Sequence, residues 1–465
     1  MLEPLARANI GRLQTLYDRF PSPARNILTS ARGWFLKRNR YAPETFSFSD
    51  KLRAHESWSS DQIASFQLQT LRETVSHARS TVPYYAHYPQ VEISSFDSLR
   101  LFPVLPRETV RENRELFLSR DTPRHQRIFA GTTGTTGGSL RVAYTEELAR
   151  KNWAFLLQQR TWAHVKPLQP RLTLFGARVV PTAQSKPPYW TYNLPERQFL
   201  LSIFHLSQST ATDYIHFLSG HHGSVLEGFP SVLSILADFV IARGETIPMR
   251  AVFTTGEPLY STARERIEAA FRANIFDSYG MTEYCGLIQQ CEHGEMHLAV
   301  EYGFLEILND VGHPVSGDEE GYFVWTGFLN RAMPLVRYRI GDRGRWKSGS
   351  ACRCGRTSPR VIPTITRESE ILHCPDGRMF SPRALNQFLK KASLLRFCQF
   401  IHEQPERVVV RAVASNSHAA QEIMDIRRDL QQLLGATMRV TAEIATEPVI
   451  FPGGKIPLIV NRISP

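Results

Sequence analysis

The run Phe129-Ala130-Gly131-Thr132-Thr133-Gly134-Thr135-Thr136-Gly137-Gly138-Ser139 has no bulky side chain from Gly131 onward. Such a run packs no core, but its backbone N–H groups and hydroxyls can converge on a polyanion. It lacks the Lys-Ser/Thr pair that closes a Walker A loop. It also departs from the G-x-G-x-x-G pattern that follows a strand in dinucleotide-binding folds. A second group consists of soft ligands. Cys291 and His297 form one close pair and Cys352 and Cys354 another. Three thiolates and an imidazole suit tetrahedral zinc, and four protein ligands leave no open position, so such an ion would be structural. Cys285 and His293 are rival ligands for it.

These groups need rigid elements behind them. Short apolar runs such as Leu172-Thr173-Leu174-Phe175-Gly176 and Ala251-Val252-Phe253-Thr254-Thr255-Gly256 read as buried strands that end in glycine. Helical patterns over 228–243 and 261–273 lie between such runs. This alternation predicts an α/β protein with substantially parallel strands. Ligands of open α/β sheets sit at the carboxyl ends of strands, where Thr254-Thr255-Gly256-Glu257 and Ser278-Tyr279-Gly280 fall. Residues 1–45 read as a basic, amphipathic helical lead, and 60–80 as a helix stopped by Pro83. Past residue 300, short strands over 302–308 and 320–326 indicate a β-rich subdomain. After Arg367 comes an α+β unit: a hairpin around Pro375-Asp376-Gly377, a helix over 382–392, a strand over 407–413, a helix over 418–435 and a last strand over 438–444.

Bulk composition narrows the class. At 465 residues the chain is too long for one compact core. With 42% hydrophobic and 21% charged residues it reads as an ordinary globular protein. No apolar run reaches the ~18 residues of a membrane-spanning helix, and no compact apolar segment with a small-residue cleavage site opens the chain. A cytoplasmic location is expected. Net charge is +11, and residues 1–50 carry eight Lys/Arg against four Asp/Glu. That excess suits an anionic membrane surface or a polyanionic ligand such as ATP or CoA. No helix-turn-helix, zinc-finger or RNA-recognition pattern is present, so nucleic acid is not an expected partner. The sequence leaves the oligomeric state open, a homodimer included.

Three further segments follow the glycine-rich loop: Asp277-Ser278-Tyr279-Gly280-Met281-Thr282-Glu283, Val336-Arg337-Tyr338-Arg339-Ile340-Gly341-Asp342, and Gly453-Gly454-Lys455. In this order the four resemble the signature of the adenylate-forming superfamily, which includes acyl-CoA ligases. Leu101-Phe102-Pro103-Val104-Leu105-Pro106-Arg107-Glu108, Thr255-Gly256-Glu257-Pro258-Leu259 and Arg264-Glu265-Arg266-Ile267-Glu268 are similar to segments of phenylacetate–CoA ligases. Pro187-Pro188-Tyr189-Trp190, Ile203-Phe204-His205-Leu206-Ser207 and Lys37-Arg38-Asn39-Arg40-Tyr41 resemble the CapK-like branch of capsular polysaccharide biosynthesis proteins.

The resemblance implies a fold: a basic lead over 1–50, a large domain over 51–366 with layered α/β sheets and a β-rich subdomain, and a small mobile α+β domain over 367–465. It implies activation of a carboxylic acid by ATP and Mg²⁺ to an acyl-adenylate with release of pyrophosphate. The acyl group would then pass to a thiol, on CoA or a carrier protein, or to an amine. Related alternatives are an adenylyl transferase, and a degenerate nucleotide-binding protein of polysaccharide or envelope biosynthesis.

The resemblance also implies roles for single residues. Thr132, Thr133, Gly134, Thr135, Thr136 and Gly137 would hold the β- and γ-phosphates. Many relatives place a Lys just after this loop, where Ser139-Leu140-Arg141 stands here, and Arg141 could substitute. Gly256 and Glu257 would line the adenine side, with Ser278, Gly280, Met281 and Thr282 beside them. Tyr279 would stack on adenine, and Glu283, opening a helix, would bind Mg²⁺. Asp342 would accept bonds from the ribose hydroxyls. Arg367 lies at the interdomain hinge, whose usual Asp is Ser369 here. Lys455 would reach the α-phosphate and the acyl carboxylate. Some relatives carry a zinc site whose ligands match Cys291, His297, Cys352 and Cys354. The acid would lie among residues 175–260 and 279–288, where Phe175, Trp190, His205 and Phe229 suit an aryl or hydrophobic acyl group.

Overall fold

The computed structural model describes residues 17–88, 92–131, 140–181, 183–364, 372–376, 378–380, 385, 388, 394–414, 419–451 and 455–463. Three helices open it: α1 (Ser22–Arg40), α2 (Pro43–His55) and α3 (Ser60–Thr81). α3 starts on a reciprocal cap. Ser59 accepts from the Gln62 N–H, and the Gln62 side chain accepts from the Ser59 N–H. Its Ile63, Leu71, Val75 and Ala78 enter the core at helical spacing. Next come strand β1 (Leu105–Pro106), helix α4 (Arg107–Glu112), and the antiparallel pair β2 (Ile128–Gly131) and β3 (Arg141–Tyr144). That pair holds the two ends of the glycine-rich loop. Thr132, Thr133, Gly134, Thr135, Thr136 and Gly137 themselves lie outside the described residues. The Arg141 guanidinium lies 5.1 Å from the Phe129 ring centroid across the pair.

The central layer follows helix α5 (Glu146–Trp162). It contains β4 (Arg171–Leu174), β5 (Trp190–Asn193), β6 (Gln198–Leu201), helix α6 (Ala211–Ser219), β7 (Val225–Gly228), helix α7 (Pro230–Ala242), β8 (Ala251–Thr255), helix α8 (Ser261–Phe271), β9 (Ile275–Gly280), β10 (Leu287–Gln290) and β11 (Met296–Leu298). The strands form one sheet in the order β11-β10-β9-β8-β7-β4-β6-β5. The five inner strands from β9 to β6 run parallel, as the βα alternation predicts, while β5, β10 and β11 are antiparallel. Leu172, Leu226 and Val252 of the sheet bury against Leu233, Leu236 and Val240 of α7 and Ile267 and Phe271 of α8.

The outer strand β5 has a free edge, and α1 covers it with polar groups. Asn26 Oδ1 accepts the Tyr192 N–H at 2.9 Å. The Ser30 hydroxyl donates to the Tyr192 carbonyl and accepts the Leu194 N–H. The contact is close enough that a Cβ on Gly33 would stand 1.8 Å from Asn193 Oδ1. In the last turn of α1, Arg40 pairs with the fully buried Glu196, which Arg171 also neutralises. These contacts occupy backbone groups of Tyr192 and Leu194 that an open edge would offer to another chain.

The β-rich subdomain contains β12 (Gly303–Leu308), β13 (Gly321–Gly327), β14 (Tyr338–Trp346) and β15 (Val361–Pro363), with β1 parallel to β14. Arg337 adopts φ 52° just before β14. Its guanidinium grips both oxygens of Glu306 at 2.9 Å and the Phe102 carbonyl at 2.5 Å. The segments around Leu105 and Tyr338 are thereby held together.

The C-terminal unit has the expected hairpin, β16 (Leu372–His373) with β17 (Met379–Phe380). It continues with β18 (Leu395–Gln404), β19 (Arg407–Ala414), helix α9 (Ala419–Leu434), β20 (Arg439–Ala445) and β21 (Ile459–Asn461). The sheet order is β20-β19-β18-β21. Two expectations are corrected. The strand over 438–444 is not the last, because β21 follows it, and the central strand β18 was unread. β18 is bulged at both ends against β19, so its apolar residues do not alternate with period two.

Candidate active site

The carboxyl ends of β8 and β9 build the floor of the site. The Thr255 hydroxyl donates to the Ser278 carbonyl at 2.9 Å, and the Thr254 hydroxyl to Asp277 at 2.6 Å. Gly256 follows with φ 81°, a conformation that favours glycine. A cavity of about 410 Å³ opens above these ends and is roofed by the C-terminal unit. Gly256, Glu257, Ser278, Tyr279, Gly280, Asp342 and Lys455 all line it. Four segments, set between 21 and 199 positions apart in the chain, thus meet around one space.

Two contacts set their geometry. The Tyr279 hydroxyl donates to Asp342 Oδ2 at 2.7 Å, joining the end of β9 to β14. The Tyr279 ring stands edge-on to Phe323, 5.6 Å between centroids. On the other side, Glu257 Oε2 accepts from the Ser231 hydroxyl at 2.6 Å and from its N–H at 3.2 Å. Glu257 Oε1 accepts the Ile456 N–H at 2.9 Å. Removal from water raises the Glu257 carboxyl above its ordinary value, while Ser231, the Ile456 N–H and Lys455 pull it back. The carboxylate therefore bridges α7 of the large domain to the residue after Lys455. Gly453, Gly454 and the hinge residue Arg367 lie outside the described residues.

Met281, Thr282 and Glu283 do not line the cavity. Met281 packs against the core of the β-rich subdomain. Residues 282–283 form a turn, with Tyr284 at φ 57° bonding back to the Met281 carbonyl. The expected helix at Glu283 is therefore absent. The chain reverses into β10 instead, and Gly286 lies so close to Trp325 that a Cβ there would stand 2.2 Å away. Glu283 is 2% exposed. It accepts from the Tyr338 hydroxyl at 2.8 Å and faces Arg107 Nε at 4.0 Å. Ser231, Arg107 and Tyr338 were not singled out from the sequence, although the latter two sit inside recognised segments.

Of the residues expected around the acid, Trp190 and His205 do not line this cavity. Trp190 stacks on Phe217 at the sheet edge, 3.9 Å between centroids. His205 stacks on Tyr189 and bonds Ser202. Phe229 touches the cavity wall, its ring 3.1 Å from a Cβ placed on Gly256, and Phe175 packs on it edge-to-face.

The four soft ligands converge beside the sheet. Cys291, His297, Cys352 and Cys354 place one ligand atom each within 4.8 Å of one another. The Cys291 and Cys352 sulfurs are 3.8 Å apart, and Cys354 Sγ lies 3.4 Å from His297 Nε2. Tetrahedral zinc with ~2.3 Å bonds to sulfur and ~2.1 Å to nitrogen requires about 3.8 and 3.6 Å for these pairs. His297 Nδ1 is 3.2 Å from the Ser358 carbonyl oxygen, which keeps the proton there and turns the Nε2 lone pair to the group. Of the rivals, Cys285 is buried next to Glu283, and His293 meets Cys291 through its backbone N–H.

No family model matches the chain. Along nearly its whole length it is similar to the protein CapK of Staphylococcus aureus, 22% identical over 97% of this chain and 100% of that protein. A phenylacetate-coenzyme A ligase of Thermus thermophilus is 23% identical over 67% of this chain and 72% of that protein. The structure of a 2-hydroxyisobutyryl-CoA ligase in the postadenylation state, in complex with R3-HIB-AMP, superposes with a TM-score of 0.67 at 15% identity. That match covers 88% of this chain and 91% of the other. The fold is therefore that of this adenylate-forming CoA ligase. In sequence the chain is similar to CapK and to the phenylacetate-CoA ligases.

Asp277, under the cavity floor, supplies a pH test. Burial pushes its carboxyl up to about 6, opposed by Thr254 and Arg264. A raised carboxyl stabilises the fold below its unfolded value, near pH 4, and that contribution is lost as pH rises through about 6. Asp277→Asn removes the penalty. The unfolding free energy of the wild type minus that of the variant should fall by about 2.5 kcal/mol between pH 4 and pH 8. Urea titrations across that range measure it. A pH-independent difference would mean that Thr254 and Arg264 keep the carboxyl ionised throughout.

Proposed function

We propose that this enzyme activates a carboxylic acid with ATP as an acyl-adenylate, releases pyrophosphate, and transfers the acyl group to a thiol, that of CoA. The observation that carries the reading is the meeting of Tyr279, Asp342 and Lys455 on one cavity. Activation requires an oriented nucleoside and a cation where charge develops at the α-phosphate. Tyr279 offers adenine a ring face. Asp342, oriented by the Tyr279 hydroxyl, offers the ribose hydroxyls an acceptor. Lys455 is presented by the Glu257–Ile456 bond and would neutralise the α-phosphate and the incoming carboxylate. By resemblance Glu283, which Tyr338 and Arg107 hold buried outside the cavity lining, would hold Mg²⁺ directly or through water. When bound, that ion supplies charge neutralisation on the phosphates. Phe229 at the wall of Gly256 supports a hydrophobic or aryl acid. The basic loop end at Arg141 and the hinge at Arg367 complete the reading by resemblance.

Cys291, His297, Cys352 and Cys354 would hold a structural zinc. Its support is the match of the two measured ligand separations to a tetrahedral ion. Burial pushes the Cys291 thiol up to about 12, so a cation would be required to draw out the thiolate.

Three measurements test these assignments. In ATP–pyrophosphate exchange over a panel of acids, Lys455→Ala should lose on the order of 100–1000-fold in rate. The same variant, given pre-formed acyl-AMP and CoA, should still make thioester. Equal loss of both half-reactions would remove Lys455 from the adenylation step, and accumulation of an AMP product without thioester would favour the adenylyl-transferase reading. Asp342→Ala should weaken ATP binding by about 10–150-fold, the loss of one charge-assisted bond, with melting temperature nearly unchanged. Unaltered ATP affinity with a collapsed melting temperature would make Asp342 a structural residue. Elemental analysis of chelator-free protein should give about one zinc per chain, and Cys352→Ser should lose it. Full zinc content in that variant would end the assignment.

A further inference from the structure

Helix α1 is inverted relative to the ordinary surface helix. Its polar side faces the protein, because Asn26, Ser30 and Arg40 serve the edge of β5 and the buried Glu196. The opposite side is apolar and faces solvent. Ile27 is 70% exposed, Phe35 64%, Trp34 49% and Leu28 43%. At 3.6 residues per turn, Ile27, Leu28, Ala31, Trp34, Phe35 and Arg38 share about a third of the helix circumference. The inward polarity is accounted for by the strand edge. Among the described residues nothing covers the outward stripe, and a contiguous apolar face of this kind marks a contact site.

Charge selects the occupant. The helix Ser22–Arg40 contains five Arg/Lys and no Asp or Glu. Arg25 and Arg40 turn inward, to Gln184 and Glu196. Arg32 and Arg38 are exposed and Lys37 is half-buried, so the apolar stripe is flanked by cations. The Arg38 guanidinium sits 5.1 Å from the Trp34 ring centroid. A second copy of the chain is a poor occupant, because a two-fold contact sets the same cationic patch against itself. An anionic bilayer surface fits each part. Aliphatic and aromatic side chains enter the acyl boundary, Trp sits at headgroup depth, and Arg and Lys reach the lipid phosphates. No described helix is long and apolar enough to cross a membrane. We infer that α1 is an interfacial anchor that lies in the surface of an anionic membrane and docks the enzyme there. β5, on which α1 lies, is four strands from β8, so the cavity stands about 19 Å along the sheet from the anchor and stays open to solutes.

The test is flotation of the purified full-length chain with vesicles of phosphatidylcholine, with and without a third of phosphatidylglycerol. The chain should float with the anionic vesicles and at least about tenfold less with the neutral ones, and high salt should release it. Trp34→Ser/Phe35→Ser should lower the bound fraction at least about tenfold while melting temperature and ATP–pyrophosphate exchange stay at wild-type values. If that variant does not fold, Arg32→Gln/Lys37→Gln/Arg38→Gln decides, with the same loss of binding and no remaining salt dependence. Equal flotation with both vesicles, or variants that bind as the wild type does, would overturn the proposal. So would a wild type that binds neither vesicle and sediments as a dimer dissolved by the same substitutions.

Discussion

A single carboxylate joins the two halves of the active cavity. Glu257 receives two bonds from Ser231 at the start of α7 and one from the Ile456 N–H. Lys455 enters the cavity because its neighbour is held there. A hydrogen bond to a charged group contributes about 1.5–3 kcal/mol. That is enough to bias the position of the C-terminal unit. The position of Glu257 rests in turn on Gly256, whose φ of 81° turns the chain out of β8 directly above the cavity floor.

The remaining side chains are held by polar contacts between distant segments. β1 pairs with β14, and Arg337 ties the same two segments through Glu306 and the Phe102 carbonyl. Tyr338 of β14 and Arg107, the first residue of α4 after β1, then converge on Glu283. Breaking a buried charge pair from one side costs about 3–5 kcal/mol, far more than the intact pair contributes. The arrangement resists partial disassembly for that reason.

Much of this was legible in the residues. Parallel strands ending in glycine, and the placement of Gly256 and Tyr279 at their carboxyl ends, follow from local pattern. Tyr279, Asp342 and Lys455 stood in segments whose order over the chain pointed to one site, and the Cys/His pairs announced their chemistry by type. What stayed hidden depended on long-range contacts. Ser231 is an unremarked helix residue until Glu257 reaches it. Glu283 reads as a helix-opening acid by sequence, but the close fit of Gly286 against Trp325 turns the chain into β10. β18 escaped notice because its bulges disrupt alternation. The stacking of Trp190 on Phe217 and of His205 on Tyr189 joins segments too far apart in the chain to be read from its pattern.

The docking of α1 on β5 has a consequence for biosynthesis. Asn26 and its partner Tyr192 are 166 residues apart. At roughly 5–20 residues per second, translation delivers the strand about 8–33 seconds after the helix. Through that interval Arg40 lacks Glu196, Asn26 and Ser30 lack their strand edge, and both sides of the segment are open to the surroundings. A nascent chain of this protein therefore shows the cell its basic, apolar N-terminal segment well before it has an active site.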